Sequence, residues 1–369
     1  MSGAHLGNRV AMMLTVGQEG PPHIEIDGGS NICTVTFSAN GEYIVGGGGL
    51  EVGVWRVEDG KQMATMAAWD ARCLAVSKDG RWIAAGAMFG SVFVWDAKTF
   101  EQVFAHREDP ADILGVDFSL DSTRLVTASK RGTATVWDFA ARKKVLTLDH
   151  EGWVRAAKYS PQGDRLATAT DKSVRVWDST DGRLLVDIPV KVMPWFNTGL
   201  LWLDDHLFVI SANKIKEIEA PTGSAVSEWP VLDAKNSSCI ALPKHGEFIA
   251  CSTDDTVTFW DTSEHTRVGL MQHTEDIRSI AVSPNGRFLA IGGDSGKIII
   301  RSLSRITVSL VFPCIMAHLN NFILPFVVPT RTQSHCLVFI PLSRNLSFRS
   351  TTLRSIHGST INSRTQRHY

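Results

Sequence analysis

Two pairs of adjacent carboxylates, Asp204/Asp205 and Asp254/Asp255, come nearest to general acid–base machinery in this chain, because neighbouring carboxyls drive each other's protonation apart. A hydrolase also needs a nucleophile or an activated water. No GxSxG, HExxH, Walker loop or dinucleotide fingerprint accompanies them, and the glycine run at 46–49 lies in a strand pattern rather than a strand-to-helix turn. The six cysteines (Cys33, Cys73, Cys239, Cys251, Cys314, Cys336) lie far apart, without CxxC or Cys/His spacing, and four fall inside apolar strand-like runs. They read as reduced, buried thiols rather than as metal ligands. The expectation is a non-catalytic chain with no cofactor and no metal.

Tryptophan is the more informative residue type. Eleven Trp stand against three Tyr, and five of them close the same apolar strand pattern: EVGVWRVEDG, SVFVWDAKTF, TATVWDFAAR, SVRVWDSTDG and TVTFWDTSEH. The anchors Trp55, Trp95, Trp137, Trp177 and Trp260 are spaced by 40, 42, 40 and 83 residues, and the last step is two periods. KIKEIEAPTG fills the gap with Ile218 in the Trp position, and GKIIIRSLS puts Arg301 there one period after Trp260. Seven anchors result.

The elements that must position these anchors follow from the flanking text. Ahead of each comes an alternating strand, a Gly-containing turn and a second strand, as in VRAAKYSPQGDRLATAT. After each comes a turn and a further short apolar run, such as QMATMA or KKVLTL. Four antiparallel strands per unit of about forty residues is the layout of a propeller blade.

The VWD endings, the SPxGxxLA turns and the His ahead of several units resemble WD40 repeats, over roughly residues 30–311. The resemblance implies an all-β, seven-bladed β-propeller. It further implies a polar network around each Trp, made by a His before the first strand, a Ser or Thr on the second and an Asp in the turn that follows. Only the fourth unit keeps the set: His150, Thr168 or Thr170, Asp171 and Trp177. Asp254 keeps the Asp position before Trp260, Phe89, Arg131 and Ser295 replace it elsewhere, and His106 and His273 precede units that have lost other members. The implied role of all these groups is structural. Two segments compete to close the ring: ITVSLVF after the seventh anchor, or HIEI near residues 23–26.

Propellers bind partners through loops displayed on the rigid scaffold, those leading into the innermost strands. Aligning the units puts Asn31, Asp70, Asp112, Trp153, Phe196, Asn236 and Asp276 there. Trp153, with Trp195 and Phe196 on the next unit, would make an exposed apolar patch for a protein or peptide ligand; alternatively, Trp195 and Phe196 fill their own irregular loop. Arg72, Arg155 and Arg278, two positions further in, would meet an acidic or phosphorylated peptide, or pair with Asp70, Asp112 and Asp276.

Charge divides the chain. All 38 acidic residues lie in residues 1–301, whereas residues 302–369 hold seven Arg and no Asp, Glu or Lys. The expected layout is an N-terminal extension (1–22), the propeller (23–312) and a non-propeller C-terminal tail (313–369), irregular and disordered, whose composition does not look shaped by selection for folding. An acidic propeller does not suit nucleic acid, which wants a contiguous basic face. The apolar stretch at 306–328 is interrupted by His318, Asn320, Asn321 and two Pro, so no membrane anchoring is expected. With no secretory leader pattern at the N-terminus, the reading is intracellular, cytoplasmic or nuclear. The expected function is a non-catalytic protein–protein interaction scaffold within a multiprotein complex. The alternatives are a sensor or assembly fragment of a larger signalling protein, or a propeller hydrolase.

Overall fold

A computed structural model describes residues 24–303 except 30, 108–109, 191–198, 212–213 and 232–236, together with two short strands further on. Strand-forming runs rich in Val, Ile and Thr assemble into seven four-stranded antiparallel sheets. Blade one runs from Thr34–Phe37 to Gln62–Ala67, and blade two from Ala71–Val76 to Gln102–Arg107. Blades three and four span Ile113–Phe118 to Lys143–Asp149 and Ala156–Tyr159 to Leu184–Pro189; five and six span Leu200–Leu203 to Ser224–Pro230 and Ser237–Ala241 to Arg267–Gln272.

Blade seven settles how the ring closes. Its inner strands are Ile277–Val282, Phe288–Gly293 and Lys297–Ser302, and its outer strand is Ile24–Asp27, with Ile24 opposite Ile300 and Ile26 opposite Ile298. The N-terminal segment therefore supplies the last strand of the last blade. The competing ITVSLVF segment lies outside the described residues. The chain divides into two compact units, Met1–Ser309 and Leu310–Tyr369, and the described residues of the second are a ladder of Val327–Val328 with Cys336–Leu337.

Two local devices keep the blades in phase. In the hairpin between first and second strands, a Ser hydroxyl accepts the N–H of the residue opening the second strand: Ser38 from Tyr43, Ser77 from Trp82, Ser119 from Arg124, Ser160 from Arg165 and Ser283 from Phe288. Each Ser also donates to an Asn or Asp within the turn. The second device is a bulge in the ladder of third and outer strands, which falls at Trp55, Trp95, Trp137, Trp177, Ile218 and Trp260. The fifth unit has lost its Trp and kept its bulge.

The core lies between blades rather than inside one. Val126, Ala128 and Val136 of blade three pack with Ala157, Tyr159, Leu166 and Trp177 of blade four, and comparable clusters fill the other seams. The glycine run at 46–49 belongs to the second strand of blade one. A Cβ on Gly46 would stand 2.6 Å from Ile298 of blade seven, so a small residue is needed where those two blades meet.

Candidate functional site

Around Trp177 the side chains form one relay. The Trp177 indole N–H donates to Thr168 Oγ1 at 2.8 Å, and Thr168 Oγ1 lies 2.8 Å from His150 Nε2. His150 Nδ1 lies 3.0 Å from the Leu148 carbonyl. Burial pushes His150 down to about 4, so the ring is neutral at ordinary pH. A neutral ring with its proton on Nδ1 fits the whole relay: it donates to Leu148 and accepts the Thr168 hydroxyl proton, leaving the Thr168 oxygen free to accept from Trp177.

Two members of the expected set stand outside this relay. Thr170 Oγ1 accepts from the N–H groups of Lys172 and Ser173 and organises the turn. Asp171 is exposed, and among the described residues no hydrogen bond joins it to His150. The reason is geometric: the ring proton an Asp would accept is already directed at the Leu148 carbonyl.

Other blades solve the same problem differently. Trp137 donates to Thr127 at 3.1 Å, with the ring of His106 4.4 Å away. In blade six Cys251 stands at the position of Thr168, and Trp260 turns to Thr258 of its own strand at 3.1 Å. In blade two that position is Ala85, and Trp95 stacks on Phe93 at 5.5 Å. Trp55 lies over Gly46 and Gly53, whose missing side chains make room for the ring.

The rim residues gather on the face formed by the loops between blades and the turns between second and third strands. Asp70 pairs with Arg72 at 2.9 Å, and Arg278 is held by Asp294 through two contacts of 2.8 and 2.7 Å. Asp112 accepts from Lys130 Nζ at 2.5 Å and from the Phe89 N–H at 3.2 Å. Burial alone would raise the Asp112 carboxyl; the Lys130 and Phe89 contacts outweigh it and hold the group below the usual range. Asn31 and Asp276 are exposed, and the Asn31 amide points at the Cys33 sulfur.

Trp153 lies among these residues. It is 46% exposed, with Lys130 Nζ 5.0 Å and the Arg155 guanidinium 5.2 Å from its ring. Glu151, Gly152, Trp153, Arg155, Asp171 and Lys172 line a cavity of about 540 Å³ beside it. Trp195, Phe196 and Asn236 lie outside the described residues. The structure adds exposed apolar residues that were not among the expected binding residues: Trp69 is 70% exposed, Leu50 66% and Phe89 48%, all on this same face. Trp69 carries a legible signal, being a Trp out of phase with the anchors and next to the rim residue Asp70. Among the described residues, no group of three or more His, Cys, Asp or Glu is arranged to hold a metal ion, and no helix is long and apolar enough to cross a membrane.

A family model, the WD40 "WD domain, G-beta repeat", matches residues 60–96, 98–138, 142–178, 231–261 and 264–302. This chain belongs to the WD40-repeat family. The stretches that escape the match are instructive: the first three strands of blade one, whose network position is a glycine, and blade five, which lacks the Trp. The WD40 propeller is 21% identical over 304 residues to WD repeat-containing protein 18 of Danio rerio, covering 72% of this chain and 68% of that protein. It is 23% identical to eukaryotic translation initiation factor 3 subunit I of Neurospora crassa, covering 67% of this chain and 81% of that one. It is also 23% identical to the transcriptional corepressor LEUNIG_HOMOLOG of Arabidopsis thaliana, covering 54% of this chain and 26% of that protein. By their names one of these relatives is a subunit of a translation initiation factor and another a transcriptional corepressor.

Proposed function

We propose that this chain is a non-catalytic scaffold that holds a protein or peptide partner on the face carrying Trp153, within a multiprotein complex. The observation that carries the reading is the state of Trp153 itself. A large ring is held in solvent between two cations, on loops tied to a rigid ring of blades, and Trp is among the residues that dominate binding energy at interfaces. The name of one relative supports it: a subunit of an initiation factor is part of an assembly.

The pairing of Arg72 with Asp70 and of Arg278 with Asp294 favours structural surface charges over a phosphate site. The absence of an enzymatic role belongs to the same proposal, supported by Asp204/Asp205 lying in a hairpin turn of blade five without a nucleophile motif. So do an intracellular residence, cytoplasmic or nuclear, and a propeller bounded at residues 23–312. The test is binding by the full chain before and after Trp153→Ala. The reading expects the partner to be lost while the unfolding transition stays unchanged, and unaltered binding overturns it.

A further inference from the structure

Leu50, Trp69 and Phe89 stand on three successive loops laced by backbone hydrogen bonds: Ala68 N–H to Leu50 O, Asp70 N–H to Gly49 O, and Met88 N–H to Asp70 O. The three exposed apolar side chains stand on these adjoining loops as a patch over blades one and two, and the Asp112–Lys130 pair links Phe89 to Trp153. Phe89 holds φ +56 and ψ +31, the left-handed region, which is strained for a side chain of this kind. Three contacts maintain it: its N–H to Asp112, its carbonyl from Arg107, and the Met88 bond to Asp70. Strain that secures core packing is common. Here it secures a phenyl ring half in water.

Beyond the paired Asp70–Arg72 and Asp112–Lys130, the charge on this face turns acidic. On the same face, the turns and loops of blades six and seven carry Asp254, Asp255, Glu275, Asp276 and Asp294. The neighbouring cations Arg278 and Lys297 are held by Asp294 and Glu25. The two regions adjoin across blade one, where the Ile32 and Val35 N–H groups donate to the Gly293 carbonyl and the Ser279 hydroxyl of blade seven on one side, and the Gly49 carbonyl accepts from Asp70 on the other.

Resting on the scaffold reading above, we propose that the partner is a protein segment that combines bulky apolar side chains with lysines or arginines. The apolar residues cover Leu50, Trp69 and Phe89. The basic residues lie over the acidic loops of blades six and seven. Apolar contact supplies the affinity, and the charges set direction and on-rate.

The test is to pan a random peptide library on the full chain and to measure the selected peptides by fluorescence anisotropy at low and high salt. Peptides combining bulky apolar residues with Lys or Arg are expected. Trp69→Ala with Phe89→Gly should weaken them about tenfold or more, and Glu275→Gln with Asp276→Asn should weaken them and flatten the salt dependence. All four side chains are exposed, and glycine suits the Phe89 backbone, so the unfolding transitions serve as the control for folding. Peptides lost on Trp153→Ala but indifferent to both pairs overturn this proposal and leave the scaffold reading standing. A library that yields no peptide sensitive to any of the five positions overturns both.

Discussion

The Trp177 indole N–H ends on the Thr168 hydroxyl at 2.8 Å, and Thr168 is fully buried on the second strand of blade four. Thr168→Val keeps the shape and removes the hydroxyl, leaving the indole donor and His150 Nε2 unpaired. Stability should fall by about 2–3 kcal/mol. Asp171→Asn, by contrast, should change it by less than about 0.5 kcal/mol, as for an ordinary surface position. Denaturant unfolding of both variants checks this, and a large loss in Asp171→Asn would restore the carboxylate to the network.

Acid sensitivity follows from His150. Its folded-state pKa of about 4 lies below the unfolded value of 6.5, so the unfolded chain binds a proton that the folded chain refuses. Stability is therefore full above about pH 6.5 and declines as pH falls towards 4. His273, also lowered by burial and by Arg301, acts in the same direction. The ring of His150 is partly solvated, so the loss is on the order of 2 kcal/mol rather than the full shift. Thermal unfolding between pH 7 and 4 should show a shallower decline in His150→Asn than in the parent.

Ring closure is testable at Ile26, a buried residue of the outer strand of blade seven, packed with Ile298 and Ile300. Ile26→Ala should cost about 2–5 kcal/mol. Ile26→Asp should separate the strand and expose the edge at Lys297–Ser302, seen as aggregation in light scattering. If both variants unfold as the parent does, the N-terminal strand is not what closes the propeller.

Phe89→Gly should leave stability unchanged or raise it by up to about 1 kcal/mol, since relief of left-handed strain offsets the entropy of a glycine. Equilibrium unfolding measures it. A clear loss would show the phenyl ring to be a packing residue.

What the sequence makes legible here is phase. Trp55 to Arg301 number the blades because the period holds throughout and a bulge recurs at the first six anchors, even where Ile218 replaces Trp, so periodicity survives the loss of individual residues. Hydrogen-bond partners are less legible. Asp171 sits at the family position, yet the direction of one ring proton of His150 decides whether it takes part, and that depends on the Leu148 carbonyl. Surface display is least legible: nothing about Phe as a residue type announces a left-handed backbone, so Phe89 emerges only once Asp112, Arg107 and Asp70 are seen to hold it.

The central claim is that one face of this WD40 propeller holds a partner. The most direct measurement is affinity purification of the full chain and of its Trp69→Ala/Trp153→Ala variant, with co-purifying proteins quantified by mass spectrometry and matched unfolding curves. The account predicts loss of a defined set of partners from the variant at unchanged stability. An identical partner set for both proteins would contradict it.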